Sequence, residues 1–104
     1  MNYQVEHYHG RTLFTFYTNK VTFEEVSELI DKVIQPDKKF EIEITSWTQA
    51  FSFKIDNLEI YFEHFYNGDE LFSFELLPRL NNSSDDLYKL ENLIKKLSVF
   101  IIEE

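Results

Sequence analysis

Over residues 39–46 and 50–56 the apolar side chains fall on every second position. That spacing limits the chain more than any other feature. Side chains of an extended strand alternate between two faces, so a period of two gives each strand one apolar face and one polar face. Phe40, Ile42 and Ile44 alternate with Glu41, Glu43 and Thr45 over residues 39–46. Phe51, Phe53 and Ile55 alternate with Ser52, Lys54 and Asp56 over 50–56, and Trp47 lies in the connection. Residues 58–66 and 70–77 continue the pattern. Four consecutive short strands of this kind form an antiparallel meander with one face for a core.

The last two strands, EIYFEHFYNGDELFSFEL over 59–76, carry aromatics on both parities, and the turn decides how they pair. A two-residue loop at Asn67-Gly68 would set Phe62 opposite Ser73 and Ile60 opposite Glu75, mixing apolar with polar on both faces. A one-residue slip exchanges the faces, so that register conflicts with burial of either one. A three-residue loop, Tyr66-Asn67-Gly68 with Gly68 in the left-handed position of a bulge, pairs Phe62 with Phe72, Ile60 with Phe74, Leu58 with Leu76 and His64 with Glu70. That register is the expected one. It leaves Glu59, Tyr61, Glu63, Phe65, Asp69, Ser73 and Glu75 on the opposite face, with Glu59 facing Glu75.

Two helices frame the meander. Thr22 followed by Glu25 is a capping box, with Val21 and Val26 at the staple positions. Phe23, Val26, Leu29, Ile30, Val33 and Ile34 make one helical stripe over 21–34, and Pro36 disfavours helix at Gln35. Near the end of the sequence, Ser83 or Ser84 is placed to cap a helix, with Asp85 and Asp86 in its first turn and Lys95 and Lys96 later. Leu87, Leu90, Ile94, Leu97 and Ile101 step along it by three and four, with Leu93 and Phe100 widening the stripe. Before the first helix, residues 3–8 and 11–18 read as a hairpin across His9-Gly10, with Phe14 and Phe16 inward.

The expected fold is therefore α+β: an antiparallel sheet of about six strands in the order ββ-α-ββββ-α, with two helices packed on one face. The 104 residues suit a single domain, and 43% apolar content is enough for its core. The other sheet face is left uncovered.

Composition then narrows the function. The chain has no cysteine, which removes disulfides and thiolate metal or redox sites and suits a cytoplasmic setting. No leader pattern and no apolar run of membrane-spanning length is visible. The net charge of −9 disfavours nucleic acid and anionic membranes as direct partners. Acids concentrate in the meander: from residue 40 to 77, Glu41, Glu43, Asp56, Glu59, Glu63, Asp69, Glu70 and Glu75 stand against one base, Lys54. Alternation brings Glu41, Glu43, Glu59, Glu63 and Glu75 to one side with Tyr61 and Phe65. The ordinary reading of such a face is solvation against aggregation. The functional reading is a docking surface, in which acids steer a basic protein and Trp47, Tyr61 and Phe65 anchor it.

His7 and His9 form a short HxH pattern that reads as polar strand-end histidines, and neither a metal nor another cofactor is expected. No nucleophile elbow, phosphate loop or zinc-helix motif is present, so no enzyme is expected. The expected role is a small protein-binding module of inhibitor or immunity type that blocks a basic partner, such as a toxin or a nucleic-acid-binding protein. The alternative is a homodimer built on the same face or on an edge strand.

Overall fold

A computed structural model describes residues 2–65 and 70–101. Strands β1 (Gln4–Tyr8) and β2 (Arg11–Tyr17) form the first hairpin. Helix α1 (Phe23–Leu29) follows and runs on through a wider π-helical turn, Ile30–Ile34. Then come β3 (Lys38–Lys39), β4 (Glu43–Ile44), β5 (Thr48–Ile55), β6 (Leu58–Phe65) and β7 (Leu71–Leu77), and α2 (Ser84–Ser98) closes the order. All pairings are antiparallel, in the spatial order β1-β2-β7-β6-β5, with β3 and β4 both lying along the far side of β5. The α+β class and the element order agree with the expected ones. The strand order carries new information: β2 lies beside β7, so the N-terminal hairpin extends the meander at its late end.

Local chemistry sets the helix ends. Thr22 Oγ1 accepts from the Glu25 amide at 3.1 Å, and Glu25 Oε1 accepts from the Thr22 amide at 3.0 Å. Each bond satisfies an amide that has no partner inside the helix. The π turn closes with the Gln35 amide donating to the Ile30 carbonyl at 3.1 Å, and Gln35 then turns left-handed ahead of Pro36. Ser83 caps α2 through the Asp86 amide at 3.1 Å. Tyr3 donates to Glu91 at 2.8 Å, tying the chain start to α2.

Both helices cover the same sheet face. Phe23, Val26, Ile30 and Ile34 from the first helical segment and Leu90, Leu93, Ile94 and Leu97 from α2 are buried there. They meet Phe14, Phe16, Phe51, Phe53, Ile60, Phe62, Phe72 and Phe74 of the sheet. Phe62 sits at the middle, with ring centroids 4.7 Å from Phe74, 5.4 Å from Phe23 and 5.5 Å from Phe51. Burying aromatics in such offset and edge contacts supplies most of the stabilisation of a core this size.

Three expectations are corrected. The β6–β7 hairpin pairs Phe62 with Phe74, Ile60 with Leu76 and His64 with Phe72, two residues from the expected register. Faces survive because a shift of two preserves parity. The last pair is Phe65 with Leu71, so more residues separate the strands than a three-residue loop allows; Tyr66, Asn67, Gly68 and Asp69 lie outside the described residues, and with them the left-handed position expected for Gly68. His64 still reaches Glu70, Nε2 to Oε2 at 2.9 Å, through side chains rather than as strand partners.

The second correction concerns residues 39–46. Lys39 pairs with Phe53 and the Phe40 amide donates to the Ser52 carbonyl, but the next pair is Glu43 with Ala50. Glu41 and Ile42 together stand opposite Phe51 alone, which is a β-bulge. Phe40 consequently turns to the face away from the helices, where Lys38 and Lys54 lie 4.8 and 5.8 Å from its ring. Lys39 points to the helix side and meets Ser27, Asp31 and the Phe51 ring. Ile44 keeps the helix-side parity but lies past the cover of the helices. Finally, Phe100 is exposed and does not widen the α2 stripe.

Candidate functional site

The uncovered face is ordered in rows that cross the sheet, because residues directly opposite on paired strands share a face. One row runs Glu43–Ala50–Glu63–Ser73–Thr15. The next runs Ser52–Tyr61–Glu75–Leu13, and a third runs Lys38–Lys54–Glu59–Leu77. A fourth, at the opposite margin, runs Thr48–Phe65–Leu71–Tyr17. The expected confrontation of Glu59 with Glu75 does not occur: Glu59 stands between Lys54 and Leu77, and Tyr61 faces Glu75.

The carboxylates of this face fall into distinct environments. Glu75 is 2% exposed although no helix covers it. Arg11 grips it bidentately, Nε to Oε2 at 2.6 Å and Nη2 to Oε1 at 2.7 Å. Arg79 adds a contact at 3.4 Å and lays its guanidinium 5.3 Å from the Tyr61 ring centroid. A planar guanidinium fork matches a carboxylate in this way, and the charge-assisted bonds offset the cost of burial. Bonding to Glu75 raises the Arg11 pKa further above its ordinary value, so the fork stays charged. Buried under two arginines, Glu75 belongs to the scaffold and offers no surface to a partner.

Glu63 is one strand away and has no such cation. It is half-buried and receives the Tyr61 hydroxyl at 3.3 Å. Among the described residues no lysine, arginine or histidine lies within salt-bridge distance of it. Burial holds its carboxyl above the usual range, against the opposing pull of the Tyr61 hydroxyl and of Arg79. Burial likewise raises Tyr61, helped by the negative charges of Glu63 and Glu43. That coupling places Glu43 within electrostatic reach of the same ring.

The remaining expected residues lie around this pair. Phe65 is half-buried in the margin row, and Glu59 is half-buried with Lys54 Nζ at 3.8 Å. Glu41 and Glu43 are exposed on the bulged edge. Trp47, 61% exposed, occupies the β4–β5 turn, which Thr45 and Thr48 close through the Thr45 amide to the Thr48 carbonyl at 2.9 Å. The structure thus groups Glu43, Tyr61 and Glu63, sets Glu41, Trp47, Glu59 and Phe65 about them, and removes Glu75. It adds Arg11, Arg79, Lys38 and Phe40, which the sequence reading missed. Only the adjacency of β2 to β7 brings Arg11 to Glu75, and nothing local in the sequence signals that adjacency.

The three histidines are not brought together. His7 Nδ1 lies 3.2 Å from Thr12 Oγ1 on the β1 edge, His9 packs edge-on against Tyr8, and His64 stacks on Phe72 at 4.2 Å in the core. Among the described residues no group of three or more His, Asp or Glu side chains is arranged to hold a metal. No helix there is long and apolar enough to cross a membrane. Compared with family models, curated proteins and solved structures, the chain shows no significant match to any of them.

Proposed function

We propose that this chain is a small, non-catalytic protein-binding module that captures a basic protein through the β4–β5–β6 part of its uncovered sheet face, acting in the cytoplasm as an inhibitor or immunity-type protein. The observation that carries this reading is Glu63. Among the described residues this half-buried carboxylate has no cation within salt-bridge distance and feels Arg79 and Arg11 only from farther off, while its neighbour Glu75 binds both arginines directly. A partner's lysine or arginine would supply the missing charge, and Tyr61 and Phe65 would supply apolar contact beside it. Glu59 lines a cavity of about 410 Å³ with Asp37, Lys38 and Lys54, but Glu43, Tyr61 and Glu63 are not part of that lining, which favours docking for the group on β4 and β6. The overall charge of −9 adds long-range steering toward a basic surface.

The test is affinity capture from the native host with the wild-type chain and with the double variant Glu43→Gln, Glu63→Gln. The wild type should retain a basic protein, identified by mass spectrometry, and retain less of it as salt rises. The double variant should keep its circular dichroism spectrum and lose the partner by about 30-fold, the value of one interface hot spot. Undiminished capture by the double variant overturns the site.

A further inference from the structure

We infer that the partner joins this chain by adding a strand to the β4 edge, and that the added strand alternates basic with apolar residues. This rests on the docking proposal above and specifies its geometry.

An edge strand presents unpaired backbone groups, and proteins ordinarily blunt such edges with lysines, bulges or short strands. The β3 part of this edge is blunted in that way, by Lys38, Lys39 and the bulge at Glu41–Ile42. The β4 part is not. At and beside it stand Ile42 of the bulge, Ile44 on the helix side and, in the turn, Trp47, which are 48%, 69% and 61% exposed. Three of the ten large apolar side chains exposed among the described residues thus fall within residues 42–47 at one margin.

The hydrogen-bond phase shows how a contact at this margin is made. Paired residues of an antiparallel ladder alternate between bonded and non-bonded pairs. The Thr45 amide bonds to the Thr48 carbonyl, so Glu43–Ala50 is a bonded pair and Ile44–Gln49 is not. The N–H and C=O of Ile44 therefore aim away from β5, toward the open edge. A strand laid there extends the sheet by one. Its side chains continue the existing rows: one beside Ile44 on the helix side, the next beside Glu43 on the uncovered face, in line with Glu63. The first position favours an apolar residue and the second a lysine or arginine. A second copy of this chain would instead bring its own Glu41 and Glu43 to a surface already carrying them, so charge complementarity selects a basic strand.

The probe is an acetylated, amidated peptide of alternating lysine and valine, compared with its glutamate-valine counterpart and with a version N-methylated on alternate residues. With the lysine peptide, hydrogen exchange at the Ile44 amide should slow by about tenfold or more. The glutamate and N-methylated peptides should give no protection. Ile44→Pro removes only an outward N–H, which edge strands tolerate, and should abolish peptide binding at unchanged melting temperature. If that variant does not fold, the N-methylated peptide remains the deciding comparison. No Ile44 protection by the lysine peptide overturns strand addition. So does protection by the glutamate peptide, or a free chain that is already a dimer with Ile44 protected. Shifts confined to Tyr61 and Glu63 would overturn strand addition and leave the docking face intact, whereas failure of the Glu43, Glu63 capture experiment would remove the face itself.

Discussion

The two halves of the uncovered face solve one problem in opposite ways. Over β2 and β7, Arg11 and Arg79 close on Glu75 and bury it. Over β4, β5 and β6, Glu43 and Glu63 flank the small Ala50 with Tyr61 as their neighbour and, among the described residues, no cation within salt-bridge distance. Both halves hold carboxylates on strands of one sheet, so strand geometry does not distinguish them. The difference is where the neutralising charge comes from: within the chain on one side, and on the other from outside it, in the reading proposed here. A face that is acidic in sequence is thus acidic in surface over only part of its width.

Three substitutions test that division. The largest effect is expected for Arg11→Ala, which strips the bidentate partner from a buried carboxylate. It should cost about 3 kcal/mol in urea denaturation, the low end for a broken buried pair, because Arg79 remains. A loss near zero would mean that the closed half is not closed. Arg79→Ala should cost less, about 1 kcal/mol, since it removes a longer contact to Glu75 and the stacking on Tyr61. The smallest effect belongs to the open half. Its carboxyl at Glu63 has a raised pKa in the folded chain, so its favourable contribution is full below the unfolded value and lost as pH rises through the folded one. Glu63→Gln stays neutral throughout. Its stability in urea denaturation should match the wild type at the acid end of that window and exceed it above, by about 0.5 kcal/mol for a side chain only half-buried. An unchanged difference across pH would place Glu63 in ordinary solvent.

Much of the fold was legible because it is written locally. The Thr22–Glu25 box, the Ser83 cap and the two helical stripes involve residues within a few positions of one another, and each appears where expected apart from Phe100. Faces were legible too, since parity follows from a period of two. Register was not, for a specific reason. Phe72 and Phe74 are chemically identical partners for Phe62, so two registers of equal parity satisfy the same pattern. The bulge was hidden by the Glu-Ile-Glu-Ile run, whose unbroken alternation gives no sign that one residue is unpaired. For the site, Glu43, Tyr61 and Glu63 were identifiable from sequence, while the burial of Glu75 depends on Arg11, 64 positions away, and on a strand order that no local pattern encodes.

The bulge between β3 and β4 also divides one edge into two differently anchored parts. The residues just before it are tied to the core side through Lys39, Ser27 and Phe51; Glu43 and Ile44, just after it, are paired with β5. Losing a single residue between Phe40 and Glu43 would restore continuous pairing: Phe40 would stay opposite Ser52 and Glu43 opposite Ala50, now two apart on both strands, so each keeps its face. The edge can therefore lose its kink without exchanging any residue between the interior and the surface, and the single extra residue acts on the shape of the margin alone.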